Sequence, residues 1–135
     1  MHRDVLRLTA ERRGLLEFTD RVRDVVRASG IATGLCHLFV QHTSASLTVQ
    51  ENADPTARAD LEAFFDRLVP RDTPYFRHTS EGPDDMPSHI RSVLSDTSML
   101  LPVENGELAL GTWQGVYLFE HRDSTPSRRV LVTVF

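Results

Sequence analysis

The C-terminal third of the chain carries apolar residues on both parities of its extended segments. Between Glu107 and His121, Leu108, Leu110, Val116 and Leu118 fall on one parity, and Ala109, Trp113, Tyr117 and Phe119 on the other. From Arg129 to Phe135, Val130, Val132 and Val134 oppose Leu131 and Phe135. Successive side chains of a strand point to opposite faces, so this pattern describes a sheet that is apolar on both sides. Both sides must then be covered. Modest helices can cover one; the other needs a second sheet or a neighbouring copy of the chain.

The rest of the sequence supplies those helices and further strands. Asp4 to Thr19 reads as two extended pieces around Gly14, and Thr19 or Asp20 as the cap of a helix carrying Val22, Val25 and Val26 and stopping at Gly30. Gly34 to Gln41 and Leu47 to Gln50 read as strands. Asp54-Pro55 starts a second helix with Leu61, Phe64, Phe65 and Leu68 on one face. Arg71 to Met86 is the longest loop, and Pro87 opens a short helix with Ile90, Val93 and Leu94 as its inner face. Ser98 to Val103 is a strand, and Asn105-Gly106 predicts a type I′ hairpin. Glu107 to His121 is a long strand bent at Gly111 or Gly115, followed by a closing strand. Partly segregated elements and hairpins predict an α+β fold: a largely antiparallel sheet or sandwich with about three helices, one domain over residues 1–135.

Composition removes several chemistries. All 15 basic residues are arginine, which excludes Schiff-base lysines and P-loops. The single cysteine, Cys36, excludes an internal disulfide and multi-cysteine zinc sites, and reads as a packing residue. A formal charge of -4 argues against a nucleic-acid partner. No apolar leader and no apolar run of membrane length is present, so a cytoplasmic protein without membrane contact is expected.

Chemistry must then come from histidine, carboxylate, hydroxyl and arginine. Of six histidines, His42, His78, His89 and His121 lie among polar neighbours at element ends. Glu51, Asp54, Glu81, Asp84 and Asp85 occupy similar positions. Neutral imidazole with carboxylate is a ligand set for zinc and other borderline divalent cations. No short ligand spacing such as HExxH occurs, and a lone histidine is more often a packing or surface residue. Thr43, Ser44 and Ser46 sit in a turn able to hold a phosphate oxygen, or merely to close a tight connection. Arg77, Arg128 and Arg129 could pair with phosphate, although each would ordinarily be a solvated charge. Trp113 stands between Gly111 and Gly115, where a bend or a close backbone approach is expected.

Taken in order, several segments resemble the YjbQ-like family, also called the secondary thiamine-phosphate synthase family. They are His42-Thr43-Ser44-Ala45-Ser46-Leu47-Thr48, Glu51-Asn52-Ala53-Asp54-Pro55, Tyr75 with His78, and Glu81 through Ile90. Asn105-Gly106, Leu110 through Gly115, Glu120 and Arg129 complete the set. Asp85 stands where many relatives have asparagine. The resemblance implies a homotrimer with a histidine-rich pocket near subunit contacts. In that pocket it places His42, His78 and His89 as ligands of a divalent metal, Zn or Mg, with Glu51, Asp54, Glu81 and Asp85 as acids.

The implied reaction joins a pyrimidine-methyl diphosphate to a thiazole phosphate and releases pyrophosphate. Thr43, Ser44, Ser46 and Arg129 are then the phosphate-side candidates, and Trp113 and Gln114 complete the substrate side, Trp113 as a ring to stack on. Two alternatives remain open. One is a metal-dependent hydrolase or lyase acting on a small phosphorylated metabolite, with Glu81 or Asp85 as base. The other is a non-catalytic trimer that binds a metal or an anion.

Overall fold

A computed structural model describes the whole chain, Met1–Phe135. Its elements are β1 (His2–Leu8), β2 (Gly14–Glu17), α1 (Thr19–Ser29), β3 (Gly34–Val40) and β4 (Ala45–Glu51). They continue with α2 (Pro55–Leu68), α3 (Asp85–Val93), β5 (Ser98–Glu104), β6 (Glu107–Leu108), β7 (Gln114–Glu120) and β8 (Arg128–Val134). Five strands form one sheet in the order β1-β8-β3-β5-β6, and three form a second in the order β2-β7-β4. Every pairing is antiparallel, so the architecture is the expected α+β sandwich.

The two-parity pattern is explained by two cores. Leu108, Val116, Leu118, Val130, Val132 and Val134 enter the main core, which both sheets share with Val22, Val25 and Val26 of α1. Tyr117 and Phe119 face the other way, forming a smaller core with Leu15 that Leu61 and Phe65 of α2 cover. Phe65 meets Phe119 edge-on, with ring centroids 5.1 Å apart. The outer face of the five-stranded sheet has no such cover. Leu35, Phe39, Leu100 and Phe135 are exposed there.

Local signals were mostly accurate. Gly30 ends α1 with φ 68°, a left-handed conformation suited to glycine. Asn105 and Gly106 both have positive φ, as a type I′ turn requires. The Asp54 carboxylate accepts from the Thr56 N–H at 2.9 Å and caps α2. Cys36 is fully buried.

Four readings change. The long strand from Glu107 to His121 is two strands in different sheets, because Gly111 to Gln114 closes a turn. Gly111 N–H donates to Gln114 Oε1 at 2.8 Å and Gln114 N–H to the Gly111 carbonyl at 3.1 Å. Thr19 is the first residue of α1 rather than its cap. Its hydroxyl donates to Glu17 and accepts from the Val116 N–H, tying α1 to β7. In α2 only Leu61 and Phe65 pack inward, while Phe64 and Leu68 are exposed.

The largest change is in α3, which begins at Asp85 and not Pro87. Its buried face is Asp85, Pro87, Ser88, Arg91 and Ser92, whereas Val93 is 84% and Leu94 55% exposed. Polar groups can be buried when hydrogen-bonded, and Asp85, Ser88 and the Arg91 Nη2 are, although Arg91 Nε has no partner. Ser88 Oγ donates to the Asp84 and His121 carbonyls, and Arg91 to the Val69 carbonyl.

Candidate functional site

The polar face of α3 assembles a cluster of titratable groups with the loop before it. Asp85 is buried at the first residue of α3, and His89 lies one turn on, so both face the same side. His78 comes from the preceding loop. The His78, Asp85 and His89 ligand atoms all lie within 4.8 Å of one another. Asp85 Oδ2 is 2.6 Å from His78 Nε2 and 3.2 Å from His89 Nε2. Its other oxygen, Oδ1, accepts from Arg122 Nη1 at 2.7 Å.

Charge is balanced around this carboxylate. Burial pushes the Asp85 carboxyl pKa up, but hydrogen bonding with Glu81 and His78 and the charges of His89 and Arg122 outweigh it, holding the group below the usual carboxylate range. Asp84 is also held low. Burial opposes this, and the Asp123 N–H and the Arg122 guanidinium prevail. His89 Nδ1 is 3.2 Å from the Thr43 carbonyl. A carbonyl only accepts, so Nδ1 carries a proton; Nε2 then donates to Asp85 if the ring is an imidazolium and turns a lone pair to it if the ring is neutral.

His78, alone of the cluster, lines a cleft of about 570 Å³ together with Arg71, Thr73, Phe76, Pro83 and Met86. That size suits a small metabolite. An apolar groove of about 180 Å³ lies elsewhere, bounded by Leu15, Leu61, Phe65, Leu94 and Phe119. It holds none of the histidines.

The structure divides the sequence candidates into two groups. His78, His89, Asp85 and Glu81 meet in the cluster, with Thr43 at its edge. His42 does not join the cluster, and Asp85 takes the place expected for it. The Nε2 of His42 accepts from the Arg129 N–H at 2.9 Å, and burial followed by the Arg128 charge lowers its pKa. The Arg129 side chain is exposed. Ser46 is fully buried and bonded to His121 Nε2 at 2.8 Å, which turns it away from any ligand. Ser44 contributes its carbonyl to Arg128.

Glu51, Asp54, Trp113 and Gln114 lie at the far end of the three-stranded sheet. Register pairs Ala45 with Glu120 at the cluster end and Glu51 with Gln114 at the other. Six residues of strand separate them, roughly 20 Å. There Asp54 caps α2, and Trp113 is 63% exposed.

Sequence reasoning missed Arg122 and the roles of Glu120 and His121. The run Glu120-His121-Arg122-Asp123, four polar residues closing an apolar strand, was the available clue.

Fold and cluster together define an α+β sandwich with an open two-histidine, one-carboxylate centre at one end. The chain belongs to the YjbQ family: the model described as UPF0047 protein YjbQ-like matches residues 4–135. It is 51% identical over 133 residues to UPF0047 protein sll1880 of Synechocystis, covering 98% of this chain and 90% of that one. It is 47% identical over 134 residues to UPF0047 protein YjbQ of Escherichia coli O157:H7, covering 98% and 96%. Among solved structures, the conserved hypothetical protein TT1486 of Thermus thermophilus superposes with a TM-score of 0.87 at 38% identity, covering 98% of this chain and 99% of that one. A YjbQ/UPF0047 protein of Clostridium acetobutylicum gives 0.88 at 32% identity, covering 98% and 99%. No helix is long and apolar enough to cross a membrane.

Proposed function

We propose that this chain is an enzyme acting on a small phosphorylated metabolite, with a divalent cation held by His78, Asp85 and His89. One observation carries the reading. With Nδ1–H of His89 donating to the Thr43 carbonyl, its Nε2 is left toward Asp85 Oδ2 at 3.2 Å, and His78 Nε2 converges on the same oxygen at 2.6 Å, so three metal-ligand atoms meet at one point. Positive charge belongs at this point; a ring proton supplies it in the metal-free protein, and a cation would displace that proton on binding. A ring nitrogen whose partner N–H is fixed by a carbonyl is also the usual arrangement of a metal-ligating histidine. Two imidazole nitrogens and one carboxylate oxygen suit a zinc-like cation better than magnesium, which prefers oxygen.

When bound, the cation would neutralise charge on phosphate oxygens. The residues of the chain do the rest. Thr43 fixes the His89 tautomer, Asp85 orients both imidazoles, and the cleft beside His78 seats the metabolite. The reaction suggested by the family resemblance joins a pyrimidine-methyl diphosphate to a thiazole phosphate, the diphosphate departing beside this centre. A hydrolase is the second reading, favoured by Glu81. Its exposed carboxylate lies 3.9 Å from His78 Nε2, close enough to take a proton from water.

Untagged protein purified without chelator is assayed for metal, then for thiamine phosphate made from both precursors with Mg²⁺. Stoichiometric metal, and product that vanishes in His89→Ala, support the proposal. A protein that neither contains nor takes up metal sinks the metal centre. Product that persists in His89→Ala sinks the cluster as its source. Release of inorganic phosphate without condensation selects the hydrolase, and metal with neither activity selects a binding trimer.

A further inference from the structure

We infer that Arg122 is the positioning residue that decides which oxygen of Asp85 faces the two imidazoles. The inference rests on the metal-centre reading and deepens it. Arg122 spends each of its three guanidinium nitrogens on a different residue of the cluster. Nη1 donates to Asp85 Oδ1 at 2.7 Å, Nε to Asp84 Oδ2 at 3.0 Å, and Nη2 to the Glu81 carbonyl at 2.9 Å. One planar group therefore ties together the loop before α3, the residue preceding the helix, and its first residue.

The Arg122 backbone is itself held from behind. The Arg122 N–H donates to Glu120 Oε2 at 3.0 Å, and that carboxylate is clamped by Arg128 Nε at 2.8 Å and Nη2 at 2.6 Å. The neighbouring Asp123 N–H donates to the same Asp84 oxygen that Arg122 Nε uses. The end of β7 is thus a rigid anchor, and Arg122 transmits its position to α3. With Oδ1 occupied, only Oδ2 is left toward His78 and His89. A carboxylate free to rotate would offer either oxygen, or both in a bidentate mode that moves the imidazoles apart.

Lysine cannot reproduce this. Its ammonium is one point charge and cannot reach three acceptors spread around a plane. Arg122→Lys keeps the charge and removes the geometry, which makes it the discriminating variant. Replacing a group that orients a metal ligand typically lowers metal affinity 10–100-fold.

The test uses Co²⁺ as the probe and has a second readout that needs no metal. Wild type and Arg122→Lys are titrated with Co²⁺ by calorimetry and visible absorption. The metal-free proteins are compared by ¹⁵N correlation spectra of the His78 and His89 rings. The expected result is Co²⁺ affinity reduced about 10–100-fold in Arg122→Lys, an altered Co²⁺ spectrum, and displaced ring ¹⁵N resonances without metal. Unchanged ring resonances in the metal-free variant overturn the inference. Wild type that takes up no Co²⁺ overturns the metal centre instead, and the ring spectra still decide the role of Arg122. If Arg122→Lys fails to fold, Asp84→Asn frees the guanidinium at one corner. Displaced ring resonances there support the inference, and unchanged ones overturn it.

Discussion

Glu120 and Arg128 meet across the β7–β8 turn with both side chains out of water, joined by two parallel hydrogen bonds of 2.8 and 2.6 Å. Further bonds support the pair: Arg128 Nη2 reaches the Ser44 carbonyl, and Glu120 Oε2 accepts from the Arg122 N–H. A buried ion pair can be stable only when its lone pairs and protons are satisfied in this way. The pair joins the start of β4, the end of β7 and the start of β8 at the edge of the cluster.

Removing one partner strands the other. Glu120→Ala leaves a buried guanidinium without its counter-charge, and Arg128→Ala leaves a buried carboxylate. Each is expected to cost about 3–5 kcal/mol of stability. Urea unfolding of the two single variants and the double variant measures this. The double variant should lose less than the sum of the singles, because the stranded charge is gone from both sides. Additive losses would show that the two side chains act independently.

His121 makes stability depend on pH. It is buried beside Ser46, and its pKa is lowered to about 3, first by burial and then by the charges of Arg91, Arg128 and Arg13. The unfolded chain binds its proton near the ordinary value of about 6.5. Between those values the unfolded state holds more protons, so stability rises with pH there. The contribution of neutral burial is complete above pH about 6.5 and is lost progressively on acidification towards about 3, at up to about 1.4 kcal/mol per pH unit. Asp84 and Asp85, held low, lose their own contribution only as pH falls through the carboxylate range. His42, also held low, contributes with the same sign, so denaturant unfolding at pH 7, 6 and 5 is compared between wild type and His121→Gln. His121→Gln should flatten the slope in this window, and an unchanged slope would assign the dependence to another group.

The contrast between fold and site explains what was legible in the sequence. Val116 and Tyr117 announce two cores because alternation is a local property of a strand, and Gly30 and Asp54 announce helix ends because capping is local too. The site is not local. His78 and His89 are 11 residues apart in sequence, yet the partner that orients them, Arg122, lies more than 30 residues further on. Nothing near His42 reveals that the Arg129 N–H occupies its ring nitrogen. Apolar patterning also misled at α3. Val93 and Leu94 pointed to the wrong inner face, because the hydrogen bonds of Ser88 and Arg91 turn the helix the other way.

Cys36 should be chemically silent in the native protein. It is fully buried, and burial pushes its thiol up to about 11, so almost no thiolate is present at neutral pH. Incubation with iodoacetamide at pH 8 followed by mass spectrometry is expected to show no adduct, and complete labelling once urea unfolds the chain. Rapid stoichiometric labelling under native conditions would show that β3 opens or that the thiol is accessible.

The trimer that the family resemblance implies can be tested on the outer face of the five-stranded sheet. Register places Phe39 opposite Leu131, and Leu100 opposite His37, one diagonal step from Phe39 and Leu35 on the same face. Phe39 is 40% and Leu100 53% exposed, and none of the three helices lies over them. A contiguous apolar surface of this kind is ordinarily covered by a partner. Light scattering at micromolar concentration is expected to give the mass of three chains. Leu100→Glu puts a charge in the patch without touching the core, so it should shift the mass to one chain while changing the stability of the isolated subunit by no more than about 0.5 kcal/mol. A monomeric wild type would refute the trimer. A trimer indifferent to Leu100→Glu would move the contact to another exposed apolar surface, such as Val93 and Leu94 of α3.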